Sequence, residues 1–133
     1  MEKQTYTYDE AFAKSLEYFK GDELAARVWV NKYAVKDSFG NIYEQSPEDM
    51  HWRLANEVAR VEAKYTNGLS AQELFELFDH FKYIVPQGSP MTGIGNDFQV
   101  ASLSNCFVIG MEGAADSYGA IIRIDEEQVQ LMK

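Results

Sequence analysis

The chain has 133 residues, 46% of them hydrophobic, with eight Phe, eight Tyr and two Trp; that is material for a packed core and excludes a disordered chain. Its formal net charge is −9, from 21 acidic against 12 basic residues, so nucleic-acid phosphates and anionic membranes are repelled and neither is an expected partner. One cysteine, Cys106, rules out an internal disulfide scaffold and a Cys-rich zinc site. No stretch approaches the ~20 apolar residues of a bilayer span, and Met1-Glu2-Lys3-Gln4-Thr5 is not a secretory signal. The expectation is a soluble, cytoplasmic protein.

Four helices are expected in residues 1–85. Thr7 and Glu10 match a capping box, followed by Phe12, Leu16 and Phe19 at helical spacing until Gly21. Asp22 caps a second helix, with Leu24, Val28 and Trp29 facing inward, ending near Tyr33. Asp37-Ser38-Phe39-Gly40-Asn41 reads as a turn. Ser46 and Pro47 open a third helix, with Glu48 and Asp49 at its positive end and Met50, Leu54, Val58, Val61 and Tyr65 as the buried stripe. Asn67-Gly68 ends it. Ser70 and Glu73 form a second capping box, Leu69 and Leu74 stand at staple positions, and Leu77, Phe78 and Phe81 carry the fourth helix toward Val85-Pro86.

The composition then shifts. Residues 86–101, PQGSPMTGIGNDFQVA, read as a long mobile loop of a kind that is usually functional. LSNCFVI, Leu103 to Ile109, has the length and apolar content of a buried strand. Asp116 or Ser117 then caps a last helix through Ile121, Ile122, Val129 and Met132. That helix runs to Lys133 without a stop signal, and one strand is not a sheet. The expected fold is therefore mainly α: a helical domain at 1–85, then a truncated strand-and-helix unit at 86–133. The chain reads as the front part of a larger enzyme, unable to turn over alone.

Most isolated signals carry little chemistry. His51 and His80 lack a partner at metal-site spacing and read as structural or surface residues, so no metal ligand is assigned. Gly93-Ile94-Gly95 is half a dinucleotide fingerprint without its strand or third glycine. Asp125-Glu126-Glu127 reads as a solvated helix face. Cys106 by itself reads as a buried apolar thiol; the polar pair Ser104-Asn105 and the loop before it favour a reactive one.

The segment VPQGSPMTGIGNDFQVASLSNCFVIG, Val85 to Gly110, resembles the start of the catalytic barrel of ribonucleotide reductase large subunits. The Ser-Pro dipeptide, the glycine-bearing loop and the Ser/Asn-Cys-apolar strand carry the likeness. Upstream, Tyr33 to Glu62 looks like the helical region before the barrel; downstream, GAADSYGAIIRIDEEQVQLMK looks like the following turn and first barrel helix. Within the family, the chain is most similar to the adenosylcobalamin-dependent class II (ribonucleoside-diphosphate reductase) type.

The resemblance implies an α/β barrel begun at 86–133 and a full-length enzyme, expected to be a homodimer, that reduces ribonucleotides to 2′-deoxyribonucleotides by thiyl-radical chemistry. It implies that Cys106 is one of two reducing thiols, re-reduced by a thioredoxin-type partner. Ser89 matches a position that holds the substrate phosphates. Asn105 stands where a small polar residue, often Ser, borders the ribose. Asp116 and Ser117 match the turn that begins a deoxynucleotide effector site. Adenosylcobalamin would serve the full-length enzyme and would not be held by these residues alone. Competing expectations are a helical interaction module without chemistry and a reductase-derived nucleotide-binding regulator.

Overall fold

The computed structural model describes residues 4–110, 113 and 115–132. Its elements are helices α1 (Tyr8–Tyr18), α2 (Glu23–Lys32), α3 (Pro47–Glu62) and α4 (Ala71–Phe78), a 3₁₀ turn at Asp79–Phe81, then α5 (Gly88–Gly93) and α6 (Tyr118–Met132). Met111, Glu112, Ala114 and Lys133, within the stretch assigned to a barrel start, lie outside the described residues.

The helix starts follow their local chemistry. At α1 the Thr7 side chain accepts the Glu10 N–H while Glu10 reaches back to the Thr7 N–H at 2.8 Å; Ser70 and Glu73 do the same at α4. Asp22 caps α2 by accepting the Ala25 N–H at 2.9 Å. Ser46 has the extended backbone of a cap but makes no side-chain cap bond. Asp49 Oδ2 instead takes the Gln45 N–H at 2.7 Å, so the carboxylate reaches back around the helix start.

α1 packs along α2, and α3 along α4, with α1 and α3 joining the two pairs. Ala11, Trp29, Val30, Ala34, Ile42, Met50, Leu54, Ala55, Leu74 and Phe78 form the core. The Trp29 indole N–H points to Met50 Sδ at 3.4 Å, and Trp52 stacks on Phe75 with ring centroids 4.1 Å apart. Four of the buried positions among the described residues are alanines: Ala11, Ala26, Ala34 and Ala55. Between α2 and α3 the chain crosses back beside Ile42, which bridges both Tyr6 and Lys36 in antiparallel fashion. The expected turn forms there: Asp37 accepts the Phe39 and Asn41 N–H groups, and Gly40 takes φ +88°.

Three expectations are corrected. On α2 the inward face carries Ala26, Trp29 and Val30, whereas Leu24 and Val28 are exposed at 72% and 43%. On α3 the buried stripe stops short: Met50 and Leu54 are buried, while Val61 and, past the helix end, Tyr65 and Leu69 are exposed. The strand expected at Leu103–Ile109 is absent. Those residues have no secondary structure, and Val108 is fully exposed. A strand is stabilised by hydrogen bonds to neighbours, and among the described residues none lies beside it.

Leu54→Ala should therefore lower unfolding free energy by about 2–5 kcal/mol, while Leu24→Ala changes it by about 0.5 kcal/mol or less. Urea denaturation of both variants checks this; equal losses would restore Leu24 to the core.

Candidate functional site

The helical core delivers the chain to the glycine-rich segment through a strained turn. His80 and Phe81 both take positive φ, 51° and 55°, a conformation unfavourable for residues with a Cβ. Tyr18, on α1, holds that turn. Its hydroxyl donates to Asp79 Oδ1 at 3.0 Å, accepts the His80 N–H at 2.6 Å and lies 3.2 Å from His51 Nδ1. Because the Tyr18 proton goes to Asp79, His51 completes the arrangement as the Nδ1–H tautomer, donating to Tyr18. Its Nε2 is then a bare lone pair, buried without a hydrogen-bond partner between Phe78 and the edge of Phe81. Burial drives the His51 pKa down from 6.5 to about 4, against the pull of the nearby Asp79 carboxylate; His80 and Arg53 push further in the same direction as burial. Burial also raises the Tyr18 pKa well above its ordinary value, so its hydroxyl stays a donor.

Beyond the turn, residues 86–101 are not wholly irregular. Gly88–Gly93 closes into α5, and Met91 and Ile94 pack against the helical core. The polar anchor is Arg53 of α3. Its Nε donates to Glu44 Oε1 at 2.7 Å, one terminal nitrogen donates to the Met91 carbonyl at 2.7 Å, and the other donates to the Ile94 carbonyl. Glu44 Oε2 in turn accepts the Val35 N–H at 2.9 Å. The pair is nearly dry, its side chains 13% and 6% exposed. Burial raises the Glu44 pKa, and the Arg53 charge and hydrogen bond oppose that rise. A cleft of about 400 Å³ opens beside the pair, walled by Tyr43, Trp52, Asn56 and Phe98.

The structure brings two of the expected site residues together. The Ser89 N–H donates to Asn105 Oδ1 at 2.8 Å, and Asn105 Nδ2 donates to Gln87 Oε1 at 2.8 Å. Asparagine can do this because it presents a donor and an acceptor on one amide; a serine hydroxyl is too short to bridge both partners. Leu103 also lies close over α5, its Cδ2 2.9 Å from where a Cβ on Gly93 would stand. Cys106, next to Asn105, is an exposed free thiol, contrary to the buried apolar alternative. Asp116 and Ser117 stand apart, at the start of α6. There Ser117 Oγ accepts the Ala120 N–H at 3.2 Å, so of the two expected caps Ser117 is the one used. Among the described residues no hydrogen bond joins either to the Ser89–Asn105 pair.

Sequence reasoning missed Glu44, Arg53 and Gln87. A signal existed for Arg53: it stands three residues after buried Met50 and one before buried Leu54, where a charge is costly unless paired.

The described fold is an all-α domain with the Ser-Pro segment seated on its core. The ribonucleotide reductase all-alpha domain matches residues 19–92, more than half of the chain, and the chain belongs to that family. It thus carries the N-terminal region of a reductase large subunit. The matched span takes in α2, α3, α4, the strained turn and Ser89, and stops before Asn105 and Cys106. No curated protein and no solved structure matches the chain.

The depressed His51 pKa sets a pH dependence. The folded state disfavours the charged ring, so the unfolded chain binds more protons between pH 6.5 and about 4. The stability held above pH 6.5 should fall as pH drops through that window, by about 3 kcal/mol in all. Urea unfolding at pH 7 and pH 4.5 should show this loss in the wild type, and a smaller one in His51→Gln.

Proposed function

We propose that the chain is the start of a class II, adenosylcobalamin-dependent ribonucleotide reductase of the ribonucleoside-diphosphate type. Residues 1–85 are its helical lead-in, and 86–133 begin its α/β barrel. The observation that carries the reading is the family match running into a Ser-Pro loop whose Ser89 is hydrogen-bonded to Asn105, the neighbour of an exposed thiol.

Replacing a ribose 2′-hydroxyl by hydrogen is a two-electron reduction. The C2′–O bond breaks, a C2′–H bond forms and water leaves; two thiols give up two electrons and two protons and close to a disulfide. Cys106 is one of those thiols, and its exposure suits a group that must meet a substrate, a second thiol and then a thioredoxin-type reductant. Ser89 contacts the substrate phosphates through its hydroxyl and N–H; the N–H now given to Asn105 is a donor of the kind a phosphate oxygen accepts. Asn105 borders the ribose. Asp116 and Ser117 open the deoxynucleotide effector site in a homodimeric full-length enzyme, Ser117 also serving as helix cap.

Adenosylcobalamin would supply the radical. No residue of this chain is assigned to hold it.

The test is ribonucleotide reduction by the full-length gene product with adenosylcobalamin and a dithiol. The wild type should turn over repeatedly, and Cys106→Ser should stop after at most one reduction per site. Full multiple turnover by Cys106→Ser removes Cys106 from the chemistry. Activity only with a separate radical-generating subunit removes the class II assignment and leaves the family.

A further inference from the structure

The C-terminal end of α5 is capped in part by Asn96, whose Nδ2 donates to the Thr92 carbonyl at 3.0 Å and whose N–H donates to the Gly93 carbonyl at 3.2 Å, and this leaves the Met91 and Ile94 carbonyls. A helix end leaves its last carbonyls without intrahelical donors, and Met91 and Ile94 lie at that end. Both carbonyls are taken by one side chain from a different element, Arg53 of α3. The guanidinium is a planar fork with its donors in fixed directions. Glu44 occupies its third side, and Glu44 is itself fixed by the Val35 N–H. Its Nε and both terminal nitrogens therefore all bond within the protein, and its charge is neutralised by Glu44 at a largely buried place on the wall of the cleft. Arg53 is thus not laid out as a ligand for a substrate anion.

Gly95 adds a second, independent observation. It takes φ +69°, and a Cβ there would stand 2.9 Å from Arg53 Cγ. The chain leaving α5 turns sharply at the one place where only a hydrogen atom fits against the arginine stem. Arg53 and the backbone of residues 91–95 are thus packed as one unit, and Ser89 sits on the same short helix.

We infer that Arg53, oriented by Glu44, is a positioning residue for substrate binding: it clamps the C-terminal end of α5 and so fixes where Ser89 meets the substrate phosphates. The inference rests on the reading of Ser89 proposed above. The clamp acts through backbone carbonyls, so it constrains the loop whatever side chains the loop carries. Lysine cannot replace it, because one ammonium cannot reach Glu44 and two diverging carbonyls in a fixed plane.

The test uses the full-length reductase and four variants: Arg53→Lys, Gly95→Ala, Ser89→Ala and the Arg53→Lys/Ser89→Ala double variant. Amide hydrogen exchange and steady-state kinetics with a ribonucleotide are measured on each. In Arg53→Lys, exchange at residues 88–96 should accelerate about tenfold or more while α1–α4 stay within about twofold. KM should rise about tenfold and kcat stay within about threefold, as expected for lost ground-state positioning. Ser89→Ala should also raise KM, and adding Arg53→Lys to it should raise KM by about twofold or less.

Unchanged exchange at 88–96 in Arg53→Lys overturns the clamp. If that variant loosens α1–α4 as well, Gly95→Ala decides, since it displaces Arg53 without removing its charge; failure to loosen 88–96 then overturns the clamp. A KM penalty that persists in full in the Ser89→Ala background overturns action through Ser89. An unchanged KM in Ser89→Ala sinks the Ser89 reading itself, a separate failure from loss of the clamp.

Discussion

The buried Arg53–Glu44 pair ties together four parts of the chain. Val35 follows α2, Glu44 lies in the crossing segment, Arg53 is on α3, and Met91 and Ile94 belong to α5 and its exit. Desolvating an ion pair is expensive unless the remaining donors and acceptors find partners. Here the backbone supplies them: one N–H to the carboxylate and two carbonyls to the guanidinium. The ion pair thus specifies the arrangement more than it stabilises it. Any shift of α5 along the core leaves a charge short of a partner in a water-poor site, which is a steep penalty for a small displacement.

Around that point the fold is a division of labour. The aromatic and aliphatic side chains of α1–α4 supply the non-directional driving force. The two capping boxes and the Asp22 cap set where helices begin. The Tyr18 hydroxyl, shared among Asp79, His80 and His51, sets how the chain leaves α4. It also accounts for His51, a titratable group tolerated inside the core because it stays neutral and has one ring nitrogen engaged.

What could be read from the sequence was what depends on near neighbours. Thr7 with Glu10 and Ser70 with Glu73 are three residues apart, and their bonds form whatever the rest of the chain does. The face of α2 was not legible. Leu24 and Val28 are as apolar as the buried Val30, and which stripe turns inward depends on how α1 and α3 approach it. The Leu103–Ile109 run shows the other limit: its apolar residues suit a strand, but a strand exists only with its neighbours. For the candidate site, the Ser-Pro loop and Cys106 were singled out through family likeness. Glu44 was not, because a charged residue in a loop carries no sign of whether its partner is solvent or a group elsewhere in the chain; Arg53 carried a signal only in its place on the apolar stripe of α3, which does not name its partners.

The closures that hold the Ser89 loop are also the most distant in sequence. Tyr18 and Asp79 are 61 residues apart, and Arg53 and Ile94 are 41 apart, whereas α1 meets α2 and α3 meets α4 across short connections. Long-range closures carry the larger entropy cost and tend to follow local pairing. On a ribosome the two helix pairs are complete before Asp79 and Ile94 have respectively met Tyr18 and Arg53. The segment that carries Ser89 therefore closes onto the domain after both helix pairs have formed.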